Sequence, residues 1–228
     1  MNIQKIVAKI LGHRYRNPRP GLNGLDDKLD KYLNFNNGFF IEAGGNDGYS
    51  QSNTYFLETK RNWRGVLIEG IPELYLKCKK ARPKSIVENF ALVSNDYKHP
   101  AVTMHFANLM SVVNGSLKTS DEQQKHIEAG IAVQNLQGTY SIDVPARTLE
   151  SVLDKIPRLP TINFFSLDVE GCELDVLKGL NLSKYRPKYI LVEARFFDEV
   201  DSYLQAHGYE MLEQLTFHDY LYKTGSAP

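Results

Sequence analysis

The sequence predicts an α/β fold organised around a mostly parallel sheet. Short apolar runs alternate with segments of helical periodicity, which is typical of βαβ units. A first group of elements gives strands at 39–43, 65–69 and 85–91, with helices at about 50–59 and 72–80 between them. A second group gives strands at 162–168 and 189–193, with helices at 173–179 and about 198–207. Two last runs, 209–217 and 219–222, are predicted to form an antiparallel pair.

Composition narrows the class of protein. The chain has 228 residues, of which 42% are hydrophobic and 24% charged, as expected for one globular domain with its own core. Its 27 Lys and Arg balance its 27 Asp and Glu, so no overall positive charge attracts nucleic acid, and we expect no nucleic-acid partner. Neither Cys78 nor Cys172 has metal-ligand spacing, and we expect both to be reduced.

The N-terminal part, residues 1–37, is predicted to form helices that pack on the domain at 38–228. Residues 1–16 carry apolar side chains at helical spacing, which favours a short amphipathic helix that caps the domain or meets a second copy of the chain; binding to a membrane surface is the alternative. No run approaches the roughly 20 apolar residues of a membrane span, and no signal-peptide pattern is present. We therefore expect a cytoplasmic protein.

The first predicted strand runs into a glycine-rich turn, FFIEAGGNDG at 39–48. Glu42 precedes Gly44 and Gly48 in the pattern E-x-G-x-x-x-G, which is not the G-x-G-x-x-G of dinucleotide sites. Glycines let a ligand approach the backbone, whereas a carboxylate favours a cationic ligand and repels a pyrophosphate. S-adenosylmethionine has this character, because it carries an ammonium and a sulfonium and no phosphate. A turn that serves only packing is the alternative.

Polar residues also end the next two strands. Glu69 closes the run WRGVLIE, 27 positions after Glu42. In a doubly wound sheet, an acid at the end of the second strand lies beside the cofactor ribose and accepts hydrogen bonds from its hydroxyls. Asn89 stands at the expected end of the third strand.

Taken in order, the segments resemble the FkbM family of S-adenosylmethionine-dependent methyltransferases. The similarity lies in FIEAGGNDGYSQSNTYFLE, WRGVLIEGIPELY, ENFALVS, SLDVEGCELDVLKG and YILVEAR, and it covers roughly residues 38–222. It implies a Rossmann-like class I methyltransferase sheet of seven strands in the order 3-2-1-4-5-7-6. That sheet is mostly parallel, with an antiparallel C-terminal strand and helices on both faces.

The resemblance also implies which residues contact the cofactor. The methionine part would meet Glu42, Gly44, Asn46 and Gly48, the ribose hydroxyls Glu69, and the adenine Asn89 and Ile71. The chain departs from the family pattern at Glu42, where aspartate is frequent, and at Gly70, where proline is common. The first change keeps the charge and the second keeps room for the backbone.

Three carboxylates, Asp168, Glu170 and Glu193, end the fourth and fifth strands, which this strand order sets beside the first. Family members mostly methylate sugar hydroxyls, so the resemblance implies an O-methyltransferase acting on a sugar, glycan or glycosylated small molecule. Either Asp168 or Glu170 accepts the hydroxyl proton, or Asp168 and Glu193 bind a divalent cation such as magnesium that activates the hydroxyl. In a structural alternative, Glu170 caps the following helix and Glu193 pairs with Arg195 or Lys188.

The alternation of strands and helices breaks between about residues 94 and 147, which we interpret as an insertion. Strands are predicted there at 102–106 and 139–144, and a polar helix at 120–129. Because long insertions are usually functional, we expect it to form a lid on the substrate side. Candidate substrate residues are Asn53, which is otherwise a helix cap, His105 within the insertion, and His218, a second candidate base. His126 also lies in the insertion, where a packing role is the ordinary alternative.

Two other classes of protein remain open. A nicotinamide-dependent nucleotide-sugar oxidoreductase would share the fold, although the missing G-x-G-x-x-G argues against it. A non-catalytic binding protein would use the carboxylates only for packing. Binding of S-adenosylmethionine, of NAD or of neither would separate the three.

Overall fold

The computed structural model of the protein describes residues 17–114, 117, 119–134 and 138–225. The helix predicted at residues 1–16 lies outside this part of the chain. The described strands are β1 Phe39–Ala43, β2 Arg64–Ile68, β3 Ile86–Glu88, β4 Ala91–Leu92, β5 Ala101–His105, β6 Val112–Val113, β7 Ser141–Arg147, β8 Phe164–Leu167, β9 Tyr189–Glu193, β10 Tyr209–Gln214 and β11 Asp219–Thr224. The α-helices are α1 Leu25–Leu29, α2 Tyr55–Arg61, α3 Pro72–Ala81, α4 Ser120–Gln134, α5 Leu149–Leu153, α6 Glu173–Lys178, α7 Leu182–Tyr185 and α8 Phe197–Ala206.

The central sheet has seven strands in the order β10-β11-β9-β8-β1-β2-β3. Strand β1 pairs in parallel with both β2 and β8, and β11 is antiparallel to its two neighbours. With β10 and β11 counted as the sixth and seventh strands, this is the predicted order. The prediction of a mostly parallel class I methyltransferase sheet with an antiparallel C-terminal strand is confirmed.

Helices cover both faces of this sheet, and every residue of β1 is therefore buried. Phe39, Ile41 and Ala43 point into one core, which includes residues of α5, α6 and α8. Phe40 points into the other core, with residues of α1, α2 and α3. The alternation of side chains along one strand therefore builds two separate cores.

The third predicted strand, at 85–91, is in fact two strands in different sheets. Strand β3 pairs with β2 in the central sheet, whereas β4 pairs with β7 in a second sheet of order β4-β7-β5-β6. Asn89 lies between them, and its side-chain amide donates to the carbonyls of Glu69 and Gly70 at 2.7 Å each. Asn89 therefore bonds the end of β2 at the point where the chain leaves the central sheet.

The predicted helix at 50–59 begins later than expected, at Tyr55. Residues 49–54 form a loop instead, because Glu42 accepts hydrogen bonds from the backbone N–H of Asn53 and from the side chains of Ser52 and Thr54. These side-chain bonds compete with a helical start. The short helix α7 was not predicted, and Asn181 caps it by accepting from Ser183 and Lys184 N–H.

The described part of the N-terminal segment packs on the central sheet. Leu25, Leu29 and Leu33 are buried in the same core as Phe40 and Trp63. Among the described residues, we find no helix with the length and apolar character needed to cross a membrane.

Candidate active site

A cleft of about 320 Å³ opens at the carboxyl ends of β1, β2, β8 and β9. In parallel α/β sheets this edge is where ligands bind. Eight of the predicted catalytic, cofactor-binding and substrate residues line it: Glu42, Gly44, Asn46, Asn53, Glu69, Asp168, Glu170 and Glu193.

The glycine turn after β1 allows a close approach of two strands. Gly44 has φ +87°, and a Cβ on it would lie 1.9 Å from the carbonyl oxygen of Asp168. Only glycine fits there, since both the conformation and the space exclude a side chain. The turn therefore brings the backbone at Gly44 directly against the strand end that carries Asp168.

Glu69 is held by the same turn. Its Oε2 accepts from the backbone N–H of Asn46 at 2.7 Å, and its Oε1 accepts from that of Ile71 at 2.7 Å. Burial raises the pKa of Glu69 to about 7, although these N–H groups oppose the shift. A carboxylate oxygen has two lone pairs, so Glu69 retains the capacity to accept further hydrogen bonds.

Glu42 lines the cleft, but its charge is not free as the sequence interpretation assumed. Its carboxylate accepts from Ser52 Oγ at 2.9 Å and from Thr54 Oγ1 at 2.5 Å, and it lies 3.2 Å from Arg82 Nη1. The Arg82 side chain is fully buried and also bonds Glu58 at 2.9 Å. This buried arginine compensates the charge of Glu42, and the sequence analysis missed it.

Three carboxylates converge on the other side of the cleft. Asp168 follows β8, Glu193 ends β9, and Glu170 lies between β8 and α6 at φ +54°. Burial and then the neighbouring charge of Glu193 raise the pKa of Asp168 well above its usual range, and the same two causes raise the pKa of Glu170 to about 7. Such paired, partly desolvated acids are typical of catalytic sites.

The unusual backbone at Glu170 is stabilised from within the turn. The buried carboxylate of Glu173 accepts from the N–H of Gly171 at 2.9 Å and of Val169 at 3.3 Å. A non-glycine residue at positive φ costs free energy and persists where surrounding contacts impose it. Here the turn directs the Glu170 side chain to the cleft.

The family model for the methyltransferase FkbM domain matches residues 42–211, more than half of the chain. The chain belongs to the FkbM methyltransferase family. It is 34% identical over 71 residues to a protein named Methyltransferase 1 from Beauveria bassiana (strain ARSEF 2860), covering 30% of this chain and 28% of that relative. The chain thus spans less than a third of the length of the curated relative it matches.

The fold is similar to that of two solved structures: a human methyltransferase 10 domain containing protein and a TehB-like SAM-dependent methyltransferase from Corynebacterium glutamicum. The first has a TM-score of 0.47 and 11% identity, covering 88% of this chain and 79% of that one. The second has a TM-score of 0.44 and 9% identity, covering 98% and 95%.

Three predicted cofactor residues of this FkbM chain do not line the cleft. Gly48 packs against Cys78 and Arg82, Ile71 is fully buried, and Asn89 bonds the backbone after β2. They lie behind the lining residues, and their contact with the cofactor stays a prediction. Phe90, which follows Asn89, does line the cleft, and its aromatic ring in the run ENF is the signal that could have found it.

The metal hypothesis for the FkbM chain finds limited support in the donor set. No group of three or more His, Cys, Asp and Glu side chains within the described ranges has a geometry that could hold a metal ion. Asp168 and Glu193 would offer two carboxylates, which suits magnesium only if water and substrate supply the other ligands.

The alternative that the carboxylates serve only in capping and ion pairs agrees with part of the structure. Arg195 Nη2 lies 3.2 Å from Glu170 Oε2, and His126 Nε2 lies 3.4 Å from the same oxygen. No described ion pair joins Glu193 to Arg195 or Lys188. The described ion pair of Arg195 is thus with Glu170, whereas the sequence alternative had assigned it to Glu193.

The insertion of the FkbM chain forms a wall of the cleft. Its residues there are Met104, Asn108, Leu109, Met110, Ser111, Val113 and His126. Gly70 leaves room for this wall, since a Cβ on it would lie 2.4 Å from Met104 Sδ. His105, by contrast, lines a separate groove and contacts Ser141 and Asn114, so its predicted substrate contact is not supported in the main cleft.

The other two candidate substrate residues differ in position. Asn53 lines the cleft, its Nδ2 donates to Ser166 Oγ at 3.1 Å, and its buried Oδ1 has no hydrogen-bond partner in the described part of the chain. Asn53 is not a helix cap, because Thr54 holds that position. His218 is exposed and lies outside the lining. Burial and then the charge of Asp219 raise the pKa of Glu193, and the nearby His218 opposes part of this shift.

Proposed function

We propose that the protein is an S-adenosylmethionine-dependent O-methyltransferase that acts on a hydroxyl of a sugar, glycan or glycosylated small molecule. The observation that carries this proposal is one cleft with two unlike sides. A glycine turn and Glu69 line one side, and Asp168, Glu170 and Glu193 line the other. Membership of the FkbM methyltransferase family supports the same reaction class.

The donor side suits a nucleoside with a cationic amino-acid part. Gly44 and Asn46 line this side, and Glu69 has the capacity to accept hydrogen bonds from ribose hydroxyls beyond those it already receives. Phe90 supplies an aromatic face for adenine. The three carboxylates provide the negative field that a sulfonium favours. When bound, the donor would supply an electrophilic methyl group.

The acceptor side suits a hydroxylated ligand. Asn53, Asn108, Ser111 and Ser166 contribute uncharged amide and hydroxyl groups to the lining, and these bind hydroxyls without requiring a charge. The balanced net charge of the chain argues against a nucleic-acid acceptor.

In the transfer step, Asp168 or Glu170 accepts the proton of the acceptor hydroxyl. A bound donor would supply the methyl carbon to which this oxygen bonds, and its carbon–sulfur bond would break with the electron pair left on sulfur as a neutral thioether. A pKa near 7, as at Glu170, matches this task, because the base must be ionised before the reaction and hold the proton after it. Positioning of the hydroxyl in line with the methyl group supplies the remaining acceleration.

Calorimetry with S-adenosylmethionine, its demethylated product and NAD tests the donor half. We expect micromolar affinity for the first two, or about −8 kcal/mol, and none for NAD. Transfer from labelled donor to a panel of nucleotide sugars and methyl glycosides tests the acceptor half. Binding of NAD alone, or of none of the three, would contradict the proposal.

A further inference from the structure

One guanidinium nitrogen joins the insertion to the carboxylate side of the cleft. Arg195 Nη2 lies 3.1 Å from Nδ1 of His126 in α4 and 3.2 Å from Oε2 of Glu170 in the turn after β8. This nitrogen carries two hydrogens, so it can donate one to each partner. Arg195 therefore bridges a histidine of the insertion and a carboxylate of the core.

His126 is fixed within the insertion where it meets the arginine. The residue is only 7% exposed, and a hydrogen bond to the backbone of Met110 ties its ring to the neighbouring turn Asn108–Met110. A guanidinium only donates hydrogen bonds, so Nδ1 of His126 must accept from Arg195. Burial and then the charge of Arg195 lower the pKa of His126, and the neutral ring keeps Nδ1 as an acceptor. The insertion thus sets the position of the guanidinium.

Arg195 is also the counter-charge of Glu170. It is the one lysine or arginine among the described residues that line the cleft. The titratable and charged groups that face Glu170 are Asp168 after β8, Glu173 of α6, Glu193 of β9, Arg195 after β9 and His126 of α4. Three of these groups are acids, which favour the protonated form of Glu170. A protonated carboxyl cannot take the proton of a hydroxyl, so the arginine opposes the loss of a base.

We propose that Arg195 is the positioning residue of the base: anchored by His126 of the insertion, it holds the carboxylate of Glu170 in the cleft where the acceptor hydroxyl is deprotonated. The inference rests on the proposed function and assigns the proton transfer to Glu170. A carboxylate bonded at Oε2 by a fixed guanidinium is restricted in rotation, and the positive charge favours its ionised form. The insertion then acts on the chemistry through Arg195.

The pH dependence of kcat tests the role of the charge. Wild-type kcat should rise through the pKa of Glu170, about 7, and level off above it. Arg195→Gln should raise this pKa by about one unit, because an opposite charge in contact with the carboxylate is lost. The ratio of wild-type to variant kcat should therefore be about 5-fold larger at pH 7 than at pH 9. A purely structural loss would lower kcat by the same factor at both pH values, and that result would overturn the proposal.

A matched pair of substitutions at His126 tests the anchor. Asn and Leu side chains have similar shapes, but only Asn has an oxygen that can accept from Arg195. His126→Leu should move the pH profile of kcat in the same direction as Arg195→Gln, and His126→Asn should restore it toward wild type. His99→Leu, at an exposed histidine outside the lining, should leave the profile unchanged. Thermal melts followed by circular dichroism check that each variant is folded. Identical profiles in the Asn and Leu variants would contradict the anchoring role.

Failure of the inference and failure of the proposed function give different results. If the wild type methylates nothing in the panel, the proposed function fails. Carbon NMR of the unliganded protein still follows the ionisation of Glu170, whose carboxyl signal is identified by its loss in Glu170→Gln. We expect the midpoint to rise by about one pH unit in Arg195→Gln, and to rise in His126→Leu but not in His126→Asn. The same midpoint in wild type and Arg195→Gln would exclude the inference.

Discussion

The carboxylate of Glu69 is buried between the glycine turn and the N-terminus of α3, and its ionisation depends on that position. Burial raises its pKa to about 7, so the side chain is partly protonated near neutral pH. The ionised form accepts hydroxyl hydrogen bonds, whereas a protonated oxygen no longer does so fully. Binding of the donor ribose should therefore respond to pH.

We expect the affinity for S-adenosylmethionine to rise between pH 6 and pH 8, as Glu69 ionises. Glu69→Gln should bind the donor about 10-fold more weakly at pH 8, a loss of about 1.4 kcal/mol, and show a flatter pH dependence. Calorimetry at three pH values measures both effects. An unchanged pH dependence in the variant would show that another group titrates.

The two candidate bases can be separated at the level of single atoms. Asp168→Asn or Glu170→Gln removes one proton acceptor with little change in volume. The variant that loses the base should show kcat reduced about 100-fold or more, with donor affinity within a few-fold of wild type. Stopped assays with labelled donor provide kcat, and Asp121→Asn, at an exposed position on α4, is the matched control. Full activity in both variants would exclude direct carboxylate base catalysis.

At the scale of elements, the loop at 48–54 depends on one buried side chain. Arg82, which follows α3, donates to Glu42, Glu58, Ser52 and Thr54 and to the carbonyl of Gly48. The loop lies between β1 and α2 and supplies Asn53 to the cleft. A residue 40 positions from Glu42 thus holds the shape of the donor side.

Replacing Arg82 by Met should destabilise the protein by about 3–5 kcal/mol, because Glu42 and Glu58 would remain buried without a compensating charge. Urea unfolding monitored by circular dichroism gives the free energy of unfolding. Arg64→Met, at an exposed arginine of β2, should change it by less than about 0.5 kcal/mol. Comparable losses in the two variants would indicate that the buried network contributes little.

At the scale of the whole molecule, folding raises the pKa values of acids in the cleft and of Asp26 in α1, which lies outside it. Burial raises the pKa of Asp26 to about 6, and burial is also the largest cause of the shifts to about 7 at Glu69 and Glu170. At pH values between the ordinary carboxyl pKa and these raised pKa values, the folded state binds more protons than the unfolded state. Stability must then fall as pH rises through this window, and the loss is complete above the raised values.

We therefore expect the protein without ligand to melt at a higher temperature at pH 5.5 than at pH 8. Glu69→Gln should reduce this difference, since one raised pKa corresponds to roughly 3 kcal/mol when complete. S-adenosylmethionine should raise the Tm more at pH 8 than at pH 5.5, because its cationic groups offset the ionised acids. Scanning calorimetry at both pH values checks the three expectations, and a higher Tm at pH 8 without ligand would contradict them.

The strand order was implied by the resemblance to the FkbM family, whereas the sequence by itself determined the alternation of strands and helices and the acids at the strand ends. These follow from local patterns, because apolar runs, glycine turns and terminal carboxylates each span a few consecutive residues. Only the tertiary structure decided which groups those acids face. Arg82 neutralises Glu42, Arg195 contacts Glu170, and His126 reaches the cleft from the insertion, while His105 of the same insertion does not. Such pairings join positions tens of residues apart, and their energies depend on burial and distance, which the order of residues does not contain.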